Sequence, residues 1–138
     1  MVVKFIVLGT PTAKGRPRMT RQGHTYTPQK TVMYENLVRL EYQRQCGSFQ
    51  FDRDALLDVR MIAYYPIPKS VSQKERQMMA DHRIRPMKRP DVDNVCKSIL
   101  DSLNQIAYHD DAQVVDCQVR KFYGDTPKVV VTIEEIKQ

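Results

Sequence analysis

Residues 89–116 read RPDVDNVCKSILDSLNQIAYHDDAQVVD, a run that changes period halfway along and carries the densest acid in the chain. After Pro90, apolar residues recur at Val92, Val95, Cys96, Ile99, Leu100 and Leu103. That spacing places them on one face of a helix, which must be buried against something. From Gln113 to Tyr123 the pattern becomes the alternation of a strand. Gly124-Asp125-Thr126-Pro127 then makes a turn, and residues 128–136 return as a second strand, so the last two strands are expected to pair as a hairpin.

Working upstream, HRIRPMKRP (residues 82–90) is a basic loop, and Ser72 with Glu75 forms a capping-box match ahead of a short helix over 72–81. Residues 55–65 read as a strand with Leu57, Val59, Met61 and Ala63 on one face. A helix is expected from Pro28 to Cys46, capped by Thr27 and stopped by Gly47. Its apolar face is read from Val32, Met33, Leu37, Leu40 and Tyr42, with Tyr34, Arg39 and Arg44 on the surface. Residues 10–29 are a loop rich in Gly, Pro and Thr, and residues 3–8 are the first strand. The order β, long loop, α, β, α, α, β, β predicts one α+β domain over 1–138: a mainly antiparallel sheet with two to three helices packed on it.

A chain of 138 residues is long enough to bury a core without disulfides or a structural metal. No apolar run approaches the ~20 residues that span a bilayer, and the N-terminus reads as a strand rather than a signal peptide. The expectation is a cytoplasmic protein with no membrane contact. Cys46, Cys96 and Cys117 are widely spaced with no CxxC pair, which argues against a zinc site or disulfide framework and for core thiols. With 22 basic and 16 acidic residues the net charge is +6, and the bases cluster. Lys14, Arg16, Arg18 and Arg21 lie in the first loop; Arg83, Arg85, Lys88 and Arg89 lie in the second. Such loops are either solvated surface or phosphate-contacting arms.

In so basic a chain the acidic residues of 91–111 stand out. Asp93, Lys97 and Asp101 fall at i, i+4 and i+8 on a polar stripe of the helix, and Asp91 sits at its start. The pair Asp110-Asp111 precedes the next strand. Each has a bland reading: Asp91 as a cap, Asp93 and Lys97 as a surface ion pair, Asp110-Asp111 as a turn, Asp101 as structural, His109 as a loop residue without a role. If Asp91, Asp93 and Asp111 converge, their repulsion calls for a cation between them. Hard oxygen donors suit magnesium or manganese rather than zinc. A magnesium ion held by few carboxylates completes its shell with water and phosphate, the arrangement of a nuclease.

RPDVDNVCKSILDSLN followed by YHDDAQVVD resembles the signature of the RusA family of Holliday junction resolvases of bacteria and their prophages, and KGRPR and TYTPQKT resemble its N-terminal part. The resemblance implies a homodimeric endonuclease, dependent on magnesium with manganese as a substitute, that nicks four-way DNA junctions symmetrically in recombination and repair. It assigns metal binding to Asp91, Asp93 and Asp111 and an essential catalytic role to Lys97, with Asn94, Asp101 and Asp110 in support. Lys14, Arg16, Arg18, Arg21, Arg85, Lys88 and Arg89 are expected to bind DNA on charge alone. The alternatives are a nuclease for other branched DNA or RNA, and a non-catalytic nucleic-acid-binding module.

Overall fold

Leu57, Val59, Met61, Ala63 and Tyr65 alternate along one strand, and each is buried. Complete burial of Leu57, Val59 and Met61 stabilises by roughly 1.5–3 kcal/mol apiece, so this strand belongs at the centre of a sheet. The computed structural model describes residues 1–137 and places it there. In chain order the elements are β1 (Val2–Leu8), the short strands β2 (Arg18–Met19) and β3 (Thr25–Tyr26), and α1 (Gln29–Cys46). Then follow β4 (Leu57–Pro66), α2 (Gln73–Ala80), α3 (Val92–Ser102), a 3-10 turn (Asp111–Gln113), β5 (Val114–Gly124) and β6 (Lys128–Glu135). The fold is α+β, as expected, with a mixed but mainly antiparallel sheet; β2 and β3 form a separate small hairpin inside the first loop.

The sheet order is β1-β6-β4-β5, which overturns the expected pairing of the last two strands. β4 lies between β5 and β6, antiparallel to β6 and parallel to β5. The turn over 124–127 therefore straddles the end of β4 instead of closing a hairpin. Pro66 ends β4 there, and the connector passes so close that a Cβ at Gly124 would lie 3.0 Å from the Tyr64 ring. Parallel pairing of β4 with β5 needs a long crossover, which α2 and α3 provide.

The helices cover one face of the sheet, where Phe5, Val7, Val129, Val131 and Ile133 join the inner row of β4. α1 packs on β1 and on α3, and α3 packs on β5. Of the expected face of α1 Tyr42 is buried, but its companions there are Thr31, Tyr34, Val38 and Glu41. Met33 and Leu40 are exposed, and Tyr34, expected at the surface, is buried. Both stripes have helical spacing, and the aromatic one buries more surface. Pro28 precedes the helix instead of opening it, and no side chain caps the N-terminus. On α3, Val95, Ile99 and Leu103 are buried as expected, but Val92 is 48% exposed, because the inward face is completed by Ser98 and Ser102.

Candidate active site

The acidic residues are positioned by α3, by the segment after it, and by the N-terminal loop. Asp91 stands at the N-cap of α3 with extended backbone angles, but its side chain makes no capping hydrogen bond. Asp93 is in the first turn, and neither it nor Lys97 belongs to any ion pair among the described residues. Both bland readings therefore fail, and all three side chains are left exposed to solvent.

The adjacent carboxylates divide their work. Asp110 caps the 3-10 turn through a reciprocal box with Gln113, whose side-chain oxygen also accepts from the His109 and Asp110 backbone amides. Asp111 is fixed from behind, its amide donating to Asn104 Oδ1 at 2.8 Å, which turns its carboxyl toward α3. There its acidic neighbours are Asp101 and Asp110. Burial first, and the Asp101 and Asp110 charges with it, hold the Asp111 carboxyl above its ordinary range.

Lys14, expected on charge to bind DNA, completes this corner by pairing with carboxylates. Its ammonium donates to Asp101 Oδ2 at 2.5 Å and lies 3.6 Å from Glu35 Oε2. Burial works to lower its pKa, but the two carboxylates prevail and hold it above the ordinary value. The backbone of the same residue is gripped by Asn94, which accepts from the Lys14 amide at 2.6 Å and donates to its carbonyl at 3.3 Å. Lys14 is thus a structural partner of the acidic corner, and Asn94 the residue that holds it. The remaining bases of that loop, Arg16, Arg18 and Arg21, are exposed, the latter two on or beside the β2–β3 hairpin.

On the other side of Asp91, the Tyr65 hydroxyl donates to the Pro90 carbonyl at 2.5 Å. Its pKa is pushed up to about 12 by burial and by the charge of Asp91. Lys121 reaches the Lys88 carbonyl at 2.6 Å and stacks 5.0 Å from the Tyr65 ring. Burial lowers its pKa against the opposing pull of Asp91. Arg85 lies 4.3 Å from the Phe122 ring centroid and donates to the Lys121 carbonyl, Lys88 sits over Tyr123, and Arg89 is exposed. Lys121, Tyr65 and Glu35 come from distant elements and carry no motif; Asn104 ends the quoted motif stretch, but nothing in the sequence marks its bond to the Asp111 amide.

The cysteines also depart from expectation: Cys46 and Cys96 are half-buried and Cys117 is exposed. Cys96 on α3 faces Cys117 on β5, with the sulfurs 3.2 Å apart. The hydrogen bond with Cys117 brings the Cys96 thiol down to about 7, against burial and the charges of Asp101, Asp111 and Asp93.

A hard divalent cation is compatible with these residues in kind. The donors are carboxylate oxygens, and Asp101 and Asp111 already adjoin at a cost that a cation would relieve. In number the site is open: the described residues include no group of three or more His, Cys, Asp or Glu side chains close enough to hold a metal. Asp91, Asp93 and Asp111 are accordingly not drawn into one set, and the approach the structure does make is that of Asp101 to Asp111. No helix among the described residues is long and apolar enough to cross a membrane.

Comparison with known proteins agrees with the motif. The chain is 39% identical, over 97% of its own length and 96% of the other's, to the uncharacterized protein YqaN of Bacillus subtilis (strain 168). Residues 9–134 match the family described as Endodeoxyribonuclease RusA, and over that span the acidic corner, the exposed Asp91, Asp93 and Lys97 and both basic loops are all included. The chain belongs to the RusA endodeoxyribonuclease family.

Proposed function

We propose that this chain is a magnesium-dependent endonuclease that resolves four-way DNA junctions by paired nicks, acting as a homodimer in recombination and repair. The observation that supports the metal-dependent part is the Asp111 carboxyl, held above its ordinary range by burial first and by Asp101 and Asp110 with it, a repulsion that a cation would relieve. Asp91, Asp93 and Asp111 would hold magnesium, or manganese in its place, with Asp101 beside them. When bound, such an ion supplies Lewis-acid polarisation of the phosphodiester and a more acidic water.

The chain's own residues do the rest. Lys97 is exposed on the same stripe as Asp93 and is not part of any ion pair among the described residues, so its ammonium is available to charge developing on the scissile phosphate. Lys14 and Asn94 fix the Asp101 side of the corner, and Tyr65 fixes the backbone that carries Asp91. Arg16, Arg18, Arg21, Arg85, Lys88 and Arg89 grip the arms through phosphates. A dimer suits the two-fold symmetry of a junction, and the outward apolar residues Met33, Leu37 and Leu40 of α1 offer a surface that a second copy could cover.

The deciding experiment incubates the purified chain with a synthetic four-way junction, with and without magnesium. Symmetric paired products only with magnesium, and none from Asp93→Asn, are the expected result. A wild-type chain that leaves the junction intact in magnesium overturns the reading.

A further inference from the structure

Cys96 and Cys117 come from different elements, are 21 residues apart in sequence, and meet with their sulfurs at 3.2 Å. A disulfide has its sulfurs about 2.05 Å apart, so closure asks for roughly 1.1 Å of further approach, within reach of a side-chain rotation and a small shift of α3. The pair is open to solvent on its Cys117 side, in a shallow pocket lined by Val92, Asp93, Cys96, Cys117 and Val119. Cys46, by contrast, lies on α1 with its thiol directed to the Lys4 carbonyl. We propose that Cys96 and Cys117 are a reversible redox pair that a peroxide closes into a disulfide, pinning α3 to β5 beside the acidic corner.

The step balances without further reagents. One thiol takes an oxygen atom from hydrogen peroxide, giving a sulfenic acid and one water. The second sulfur attacks the first, the sulfur–sulfur bond forms, and the hydroxyl leaves as a second water. Two thiols and one peroxide become one disulfide and two waters; a dithiol reductant reverses the bond by exchange. Cys96 lies one turn beyond Asp93 and directly before Lys97, so closure displaces the stripe that carries both. Resting on the nuclease reading, the consequence is an oxidised form that cuts poorly.

The test treats the full chain with a small excess of hydrogen peroxide, then counts alkylatable thiols and measures intact mass. In Cys46→Ser protein both remaining thiols should disappear together with a loss of about 2 Da, and dithiothreitol should restore them. The oxidised protein should melt on the order of 5 °C higher. Persistence of both thiols, a mass gain of oxygen atoms, or a cross-link between chains overturns the pair. On junction DNA, oxidation should lower cleavage roughly ten- to a hundredfold, the scale of an ångström misplacement, while Cys117→Ser protein stays indifferent to peroxide. An oxidised chain that carries the disulfide and cuts at the wild-type rate overturns the gating. A reduced chain that never cuts overturns the nuclease reading, and mass, thiol count and melting still decide the pair.

Discussion

The Lys14 ammonium lies 2.5 Å from the Asp101 carboxylate, a bond between residues 87 apart in sequence that ties the N-terminal loop to α3. Both side chains are about a quarter exposed, so the bond is worth less than a fully buried pair, but losing one partner strands the other in a tight corner. Lys14→Met is expected to destabilise the fold by about 1–2 kcal/mol. It should also depress cleavage, since Asp101 no longer has its fixed partner. Chemical denaturation and a junction-cleavage assay check both.

Charge on a loop does not say which bases face DNA, and salt dependence separates them. Arg18→Ala, exposed on β2, should lower the slope of log affinity against log salt by about one, with stability changed by less than about 0.5 kcal/mol. Lys14→Met should leave that slope at the wild-type value. Binding titrations across a range of salt concentrations read this directly, and a reduced slope for Lys14→Met would place its ammonium on phosphate after all.

The raised Asp111 carboxyl has a pH signature. The folded protein holds that proton more tightly than the unfolded chain, so the contribution of Asp111 to metal-free stability is fullest below the ordinary carboxylate range. It declines as pH rises through that range to the raised folded value. Magnesium must displace the same proton, so its gain in melting temperature should grow over the same interval. Asp111→Asn is expected to be as stable as wild type or more so at neutral pH without metal, to lose that decline, and to gain nothing from magnesium. Thermal melts at several pH values, with and without magnesium, would show otherwise if the variant kept both responses.

Two helix starts give an internal contrast. Ser72 caps α2 through its hydroxyl, accepting from the Glu75 amide at 3.1 Å, whereas Asp91 makes no such bond at α3. Ser72→Ala should cost about 1 kcal/mol and leave cleavage alone. Asp91→Ala should cost less than about 0.5 kcal/mol and abolish cleavage. Denaturation midpoints and cleavage rates of the two variants separate a cap from a functional carboxylate; a large stability loss in Asp91→Ala would return that residue to a structural role.

The elements themselves were legible because their periodicities are strong: Leu57, Val59, Met61 and Ala63 read as one strand face, and Val95, Ile99 and Leu103 as one helix face, and both are buried. What sequence could not supply was pairing. A turn such as 124–127 joins neighbours in sequence, but whether they neighbour in the sheet depends on what else competes for the slot, and β4 has the stronger claim with both edges and an inner face to bury. The side of α1 was ambiguous for a similar reason, since Met33, Leu37 and Leu40 keep helical spacing as well as Tyr34, Val38 and Tyr42 do. At the site, the motif named Asp91, Asp93, Lys97 and Asp111. The contact of Asp111 with Asp101, and the hold of Lys14 on Asp101, depend on the approach of two loops that no local pattern encodes.

Tyr65 shows how the central strand reaches the site. Its ring is buried at the end of β4, its hydroxyl donates to the Pro90 carbonyl, and Lys121 lies over its face while feeling the charge of Asp91. Removing the hydroxyl leaves the ring packing intact and frees only the backbone that presents Asp91. Tyr65→Phe should therefore cost about 0.5–1.5 kcal/mol, the net worth of one hydrogen bond. Its effect on cleavage should be larger than that stability loss explains, roughly tenfold or more, because small misplacements of a reacting group are costly. Junction affinity should stay near wild type, since no phosphate contact is lost. Single-turnover cleavage measured at saturating protein isolates the chemical step; a rate equal to wild type there would mean that Asp91 is held in place without Tyr65.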